Sequence, residues 1–383
     1  MDRCPPLVEC IALLPDPRHA RGVRHPLVAM LALACAATLC GYRSYSAMAE
    51  WGRTYGVEIR RALGFTREQS PCAATFYQLF RRLDRVALEA CLGRWAQQAL
   101  AVLPKAEEEA AGPAGVAMDG KTLRGSRKQG APLTHVLSAV SHRLGLTLGQ
   151  VAVPDKTNEI TAIHTLLHGL LLEGQVVTLD ALLTQQKIAQ AIVDAGGDYL
   201  MVVKENQPTL HEDIATVFAD PASLVGTSTT ARTENRGHGR LERRTLTLTS
   251  ALADYLTWPG QQQVFHLVRT RTNCRTGEVS DETVYGITSL SPAKADAAFV
   301  LDRIRTHWMI ENGSHYVRDV TFAEDLSQVR TGAIPQVMTA FRNTAIALLR
   351  LNGEPNIARA CRRLAAHPWH ALALLGIPPP TIK

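Results

Sequence analysis

Three acidic residues have the surroundings that metal-dependent chemistry requires. Asp119 and Asp180 each follow a short apolar run typical of a buried strand, and Glu311 lies in a segment with helical periodicity. Two aspartates at neighbouring strand ends would repel one another unless a cation lay between them. Carboxylate oxygens suit Mg²⁺ or Mn²⁺, and a pair of such ions can drive attack on a phosphodiester. The three acids therefore indicate an enzyme that cuts and joins nucleic acid.

Polar and basic residues around these acids are candidates for contacts with phosphate groups. Lys121 follows Asp119 closely, and the basic segment 236–244 contains glycines that suit contact with a DNA backbone. Spacings of four, four and three residues place two histidines and an arginine on one helix face with Glu311. The full set of candidate DNA contacts is Lys121, Lys156, Asn158, Lys204, Asn206, His238, Arg240, His307, His315 and Arg318.

Each motif also has a simpler structural interpretation. A single aspartate after a strand suits a turn, the polar residues near 156–159 and 204–206 suit helix capping, and segment 236–244 suits a solvated hairpin. His307, Glu311 and His315 also suit an exposed polar stripe or a zinc site, although no zinc-protease motif accompanies them. For Trp308 we expect packing in the core rather than stacking on a base.

The composition limits the class of protein. Of 383 residues, 46% are apolar and 20% are charged, as in ordinary globular chains, and the net charge of +6 permits a polyanionic partner without requiring one. The eight cysteines form no Cys-x-x-Cys pair, which indicates buried thiols in a reducing cytoplasm. No phosphate-binding loop of the nucleotide type is present, so no nucleotide cofactor is expected. The apolar run 27–40 is too short to span a membrane and is predicted to be a core helix.

The order of predicted elements indicates several regions. Residues 1–103 are expected to form a helical, DNA-binding domain, and residues 104–114 a linker. Residues 115–376 are expected to form an α/β domain whose order is three strands, helix, strand, helix, strand. This is the order of an RNase H-like core, a mixed sheet with flanking helices, here with an all-β insertion at about 221–291. Residues 377–383 are expected to be a disordered tail.

Two N-terminal segments carry the basic residues that support DNA binding. The first is a turn-rich arm with Arg18, Arg21 and Arg24. The second, at 75–85, places three arginines beside aromatic residues. It suits either a helix that contacts DNA or a core helix with a solvated basic face.

The motifs, in their order along nearly the whole chain, resemble those of bacterial insertion-sequence DDE transposases, in the ISAs-type and H-repeat-associated branch. The matching segments are Asp16-Pro17-Arg18, Arg24-His25-Pro26, Ala117-Met118-Asp119-Gly120-Lys121, Lys156-Thr157-Asn158-Glu159-Ile160, Leu179-Asp180-Ala181 with Thr184-Gln185, Lys204-Glu205-Asn206-Gln207-Pro208, His238-Gly239-Arg240-Leu241-Glu242, and the block 305–325. Where related proteins often carry tyrosine, arginine and lysine around the last acid, this chain has Ile304, His307 and Arg318, and Leu183 stands where glycine or histidine is commoner.

This resemblance implies a specific activity. Asp119, Asp180 and Glu311 would be the catalytic, metal-binding triad of an RNase H-like domain, holding two Mg²⁺ ions that Mn²⁺ can replace. The enzyme would nick double-stranded DNA at the terminal inverted repeats of an element and transfer the freed 3′-hydroxyl to target DNA. It would act as a homo-oligomer on DNA, in the cytoplasm and associated with the nucleoid. The alternatives are a domesticated nuclease of the same fold and a decayed copy that only binds DNA.

Overall fold

The computed structural model describes residues 5–103, 112–127, 132–153, 159–237 and 239–379. Three of the predicted DNA contacts, Lys156, Asn158 and His238, lie outside the described residues. So do most of the expected linker and the last residues of the expected tail. No helix among the described residues is both long enough and apolar enough to cross a membrane.

The chain forms two compact units whose division does not follow chain order. Unit 1 comprises residues 1–103, 120–170 and 309–383, and unit 2 comprises residues 104–119 and 171–308. The N-terminal helices thus share a compact unit with later segments. A separate DNA-binding domain at 1–103 stays a prediction.

Unit 1 is mainly helical, and its core contains two almost completely buried helices. The first covers the apolar run predicted to be a core helix, and the second precedes the C-terminal helices; the two pack against each other. The described helices of this unit are α1 (Leu7–Ile11), α2 (Leu27–Leu39), α3 (Tyr45–Thr54), α4 (Gly56–Ala62), α5 (Ala73–Arg82), α6 (Arg85–Ala101), α7 (Glu159–His168), α11 (Tyr316–Val320), α12 (Ile334–Leu351), α13 (Ile357–Ala366) and α14 (Pro368–Leu374). A hairpin of β2 (Thr134–Ser141) and β3 (Thr147–Val153) belongs to the same unit.

Unit 2 contains most of the strands. They are β1 (Ala114–Leu123, whose last four residues belong to unit 1), β4 (Gln175–Leu179), β5 (Asp198–Val203), β6 (Ser228–Gly237), β7 (Arg240–Thr249), β8 (Gln263–Asn273) and β9 (Val279–Thr288). Its described helices are α8 (Gln186–Asp194), α9 (Pro208–Ala219) and α10 (Ala297–His307). Apolar side chains of α10 pack on the sheet in a cluster with those of β4, β5, β7 and β8.

The nine strands form one mixed sheet in the order β3-β2-β1-β4-β5-β9-β8-β7-β6. β1, β4 and β5 are parallel, and β9 joins β5 antiparallel. The predicted mixed sheet with flanking helices is therefore confirmed. The β segment at 221–291 does not form a sheet of its own, because β9 to β6 continue the central sheet as an antiparallel meander.

Three details differ from the sequence-based expectations. The strand β6 was not predicted, because it is a mostly polar and exposed edge strand without alternation of apolar residues. β1 continues to Leu123 instead of ending at Met118. The expectation of buried thiols is wrong for Cys72 and Cys274, which are exposed.

Candidate active site

Main-chain hydrogen bonds place the two aspartates. β1 and β4 are parallel neighbours, and their paired register ends with Met118 opposite Leu179. Asp119 and Asp180 are the next residues on each strand, so they leave adjacent strands at corresponding positions. Both are half-buried. The carboxyl ends of parallel strands are where open α/β sheets bind ligands.

The loop after Asp180 is ordered by polar contacts within unit 2. The Asp180 carboxylate accepts a hydrogen bond from the Leu183 backbone N–H at 3.3 Å and so caps a short 3₁₀ turn. Asn206 donates its side-chain amide to the Ala181 carbonyl at 2.7 Å. The amide of Asn206 thus holds the loop that begins at Asp180, and its contact with DNA stays a prediction.

A cleft of about 630 Å³ opens beside Asp180. It lies at the carboxyl ends of β4 and β5, and its lining includes the exposed Lys204 and the partly buried His211 and Tyr285. The edge of the His211 ring contacts Tyr285, with ring centroids 5.1 Å apart. The cleft therefore presents a carboxylate, a cation and aromatic surface together.

His307, another predicted DNA contact, is the last residue of α10. Its Nδ1 lies 2.8 Å from the Oγ1 of Thr178, which is buried in β4 two residues before Asp180. One ring nitrogen of His307 is thus engaged in fastening the end of α10 to the central sheet.

Glu311 lies in a π-helical turn, Ile310–His315, rather than on an unbroken α-helix. The expectation of one continuous α-helical face through His307, Glu311, His315 and Arg318 is therefore wrong, because the α-helix ends at His307 and a π-helical turn follows. π-helical turns occur frequently at functional sites.

His315 and Glu311 face each other across this turn. His315 Nδ1 lies 3.7 Å from Glu311 Oε2, and the side chain of His315 is 6% exposed against 51% for Glu311. Burial lowers the pKa of His315, and the hydrogen bond with Glu311 opposes this effect only in part. A lowered pKa favours the neutral imidazole, which keeps a lone pair. The side chain of His315 is buried, and its contact with DNA stays a prediction.

Unit 1 contains two neighbouring side chains that can hold a metal ion. Glu311 and His315 each offer one ligand atom, and these two atoms lie within 4.8 Å of each other. A carboxylate and an imidazole are suitable ligands for a divalent cation such as Mn²⁺. His315, predicted only as a DNA contact, is therefore also a candidate metal ligand.

Lys121 and Arg318 are engaged in ion pairs within unit 1. The Nζ of Lys121 lies 2.6 Å from Asp319 and 3.7 Å from Asp325, and its side chain is 11% exposed. Arg318 is fully buried, with its Nε 3.3 Å from Glu324. These partners and this burial give both cations a structural role, and their contact with DNA stays a prediction.

The acids that pair with these cations were not predicted as functional residues. Glu324 is buried between Arg318 and Arg342, and its Oε1 accepts hydrogen bonds from Arg342 at 2.9 Å and Thr339 at 2.8 Å. Burial acts to raise the pKa of Glu324, but the two arginines hold it below its ordinary value. In the sequence, Arg318 and Glu324 lie in the block 305–325, which was singled out only because it resembles the corresponding block of DDE transposases.

The remaining candidates are exposed. Trp308 is 50% exposed, which corrects the expectation of core packing. Arg240 is exposed at the start of β7, and with Arg271 and Arg275 it lines a polar depression near the ends of the β7–β9 strands. Lys204 and Arg240 are therefore the described cations among the candidates that remain available to a phosphate backbone.

Comparison with known proteins identifies the family of this chain. Residues 110–348 match the family model described as "Transposase DDE domain", and residues 8–96 match the one described as "DDE_Tnp_1-associated". The Escherichia coli O157:H7 protein "Putative transposase YncI" is 29% identical over 355 residues, which are 90% of this chain and 87% of the relative.

Two further matches extend over most of the chain. "H repeat-associated putative transposase YhhI" of Escherichia coli (strain K12) is 28% identical over 351 residues, 90% of each chain. A solved structure described as "Cryo-EM structure of piggyBac transposase synaptic complex with hairpin DNA (SNHP)" aligns with a TM-score of 0.46 at 10% identity, over 98% of this chain and 80% of that one. Because the DDE domain model matches more than half of the chain, the chain belongs to the DDE transposase family, and its function is that of a DNA transposase.

Proposed function

We propose that this chain catalyses both metal-dependent nicking of DNA at element ends and transfer of the freed 3′-hydroxyl to target DNA. The observation that carries the proposal is the β1–β4 register, which brings Asp119 and Asp180 to corresponding positions on adjacent strands. Glu311 is the third acid of the proposed triad. Within unit 1, Glu311 and His315 offer ligand atoms within 4.8 Å of each other, which supports a metal-binding role for Glu311.

The proposed ligands are the carboxylates of Asp119, Asp180 and Glu311, with the imidazole of His315 as an additional ligand. A pair of Mg²⁺ ions, or Mn²⁺ in their place, would supply activation of the attacking oxygen and neutralisation of the charge on the phosphate. The protein orients these ligands: Asp119 and Asp180 through strand pairing, and Glu311 through its π-helical turn. The neutral state of His315 favours coordination, since a protonated imidazole has no lone pair to offer.

The proposed partners are double-stranded DNA with terminal inverted repeats, target DNA and further copies of this chain. Lys204 lies in the cleft beside Asp180, where a phosphate next to the scissile bond would meet its charge. Arg240, Arg271 and Arg275 offer contacts that neutralise phosphates without reading sequence. Residues 1–103 are proposed as a DNA-binding region.

The test is a cleavage assay on a supercoiled plasmid that carries the gene with its flanking DNA. Asp180→Asn keeps the size of the side chain but removes its charge, and at least about 10²-fold slower nicking is expected, since charge stabilisation by a bound metal contributes several kcal/mol. Asp194→Asn is the matched control, because Asp194 is an exposed aspartate at the end of α8. Wild-type protein with EDTA gives the metal-free baseline.

The products distinguish the alternatives. Mg²⁺-dependent nicks at two matching end sequences followed by joined products would establish a transposase. Nicks without joined products would indicate a nuclease, and DNA binding without nicks would indicate a decayed copy. Undiminished nicking by Asp180→Asn would remove Asp180 from the proposed triad.

A further inference from the structure

Arg350 reaches from the end of α12 into the turn that carries Glu311. Its Nη2 donates a hydrogen bond to the Gly313 carbonyl at 2.5 Å, and its Nη1 donates to the Gly145 carbonyl at 2.6 Å. Gly313 lies two residues after Glu311 in the π-helical turn, and Gly145 lies in the turn between β2 and β3. One guanidinium thus joins two loops of unit 1.

Two glycines make room for this guanidinium. A Cβ at Gly313 would lie 3.0 Å from Arg350 Nη2, and a Cβ at Gly145 would overlap Nη1. Gly145 also has a φ of +64°, which other residues adopt with strain. The methyl carbon of Met309 lies within 3.5 Å of both Cβ positions and so packs beside the guanidinium.

Arg350 is partly buried, so its hydrogen bonds to the two carbonyls replace contacts with water. The same burial lowers the pKa of its guanidinium. Carbonyl oxygens in a π-helical turn are displaced from α-helical hydrogen bonding, so they are suitable acceptors for a side chain. The planar guanidinium can donate to two oxygens in a fixed geometry, which a lysine ammonium cannot reproduce.

The π-helical turn carries both Glu311 and His315. The position of its main chain therefore sets where both side chains begin. We propose that Arg350 is a positioning residue that holds the π-helical turn and thereby sets where Glu311 and His315 present their ligand atoms. The proposal rests on the function proposed above for Glu311, and it adds a residue that touches neither metal nor DNA.

The experiment measures Mn²⁺ binding to the full chain by electron paramagnetic resonance, together with thermal unfolding. Arg350→Lys keeps a positive charge but lacks the planar fork that spans the two carbonyls. Gly313→Ala keeps Arg350 but places a Cβ 3.0 Å from its Nη2. Loss of a residue that orients a metal ligand typically weakens metal affinity about 10–100-fold, and both variants are expected to show this. The matched control is Arg330→Lys, since Arg330 donates to the Gly125 carbonyl at 3.2 Å without touching the π-helical turn.

A chemical rescue separates positioning from general stability. Arg350→Ala leaves a space in which added guanidinium ion can bind, and millimolar guanidinium is expected to restore Mn²⁺ affinity in this variant but not in Asp180→Asn. Folded Arg350→Lys and Gly313→Ala proteins that bind Mn²⁺ as tightly as the wild type would overturn the proposal. Wild-type protein that binds no Mn²⁺, or binds it equally well as Asp180→Asn, would instead overturn the proposed function.

Discussion

The proposed catalytic acids fall into two regions, an aspartate side in unit 2 and a glutamate side in unit 1, which are positioned by different kinds of interaction. The aspartates are placed by main-chain hydrogen bonds, since the register of β1 with β4 determines where Asp119 and Asp180 emerge. The turn that carries Glu311 lies among side-chain charges instead. Lys121 pairs with Asp319, and the next segment is held by the buried pair of Arg318 and Glu324.

This difference determines how each side should respond to mutation. A strand register depends on many main-chain bonds and on the apolar face of the whole strand, so one polar substitution changes it little. A buried charge depends on one or two partners, and losing a partner leaves the other charge uncompensated. We therefore expect single substitutions to disturb the glutamate side more than the aspartate side.

The largest effect on stability is expected at Glu324. Its carboxylate is 1% exposed and lies against Arg318 and Arg342, which are equally buried. Glu324→Ala leaves two buried guanidinium groups without their acid, and removal of one partner of a buried ion pair costs about 3–5 kcal/mol. The free energy of unfolding in urea measures this loss.

An exposed ion pair provides the control for that measurement. Arg243 and Glu234 pair across β7 and β6 at 2.6 Å, with side chains 62% and 54% exposed. Glu234→Ala is expected to change the unfolding free energy by no more than about 1 kcal/mol, because solvent screens such pairs. Equal losses in Glu324→Ala and Glu234→Ala would contradict the importance assigned to the buried network.

Two buried carboxylates of unit 1, Glu89 and Glu324, are expected to change the stability with pH in opposite directions. Glu89 has amide partners, Gln150 at 2.7 Å and Gln336 at 2.6 Å, where Glu324 has arginines. Burial raises the pKa of Glu89 to about 7, although both hydrogen bonds oppose this. Folding therefore favours protonated Glu89, and its contribution is lost as the pH rises from about 4.5 to about 7.

The contribution of Glu324 to stability depends on pH in the opposite direction. Its pKa is lowered on folding, so its contribution is present above about pH 4.5 and is lost as the pH falls. Glu89→Gln is expected to remove up to about 3 kcal/mol of pH dependence between pH 4.5 and 7, since each pKa unit corresponds to 1.36 kcal/mol. Urea unfolding at several pH values measures it. An unchanged slope in Glu89→Gln would show that this carboxyl does not titrate on unfolding.

The aspartate side could be predicted from the sequence because its signals are local. Apolar runs before Asp119 and Asp180 predicted the strands, and the helix between them predicted a parallel pair, which the register confirms. The residues after Asp119 are polar, so the sequence did not predict that β1 continues to Leu123. The edge strand β6 is also polar, and without alternating apolar residues it was not predicted.

The glutamate side could not be predicted in the same way. Spacings of four and three residues fit an α-helix, so the sequence gives no sign of the π-helical turn. The partners of Arg318 and Arg350 are decided by packing of distant segments: Arg342 shares Glu324, and Arg350 contacts a residue 205 positions earlier. Such contacts are set by the tertiary fold, and local spacing does not reveal them.

The smallest effect tests the aspartate side directly. Thr178→Val keeps the shape of the side chain in β4 but removes the hydroxyl that lies 2.8 Å from His307 Nδ1. A single hydrogen bond contributes about 1 kcal/mol, so a loss of that size is expected in urea unfolding. The register of β1 with β4 does not use this hydroxyl, and Mn²⁺ affinity should therefore stay within about threefold of the wild type, a change of less than 1 kcal/mol. A loss as large as that of Glu324→Ala, or a tenfold weaker Mn²⁺ affinity, would mean that side-chain contacts also govern the position of Asp180.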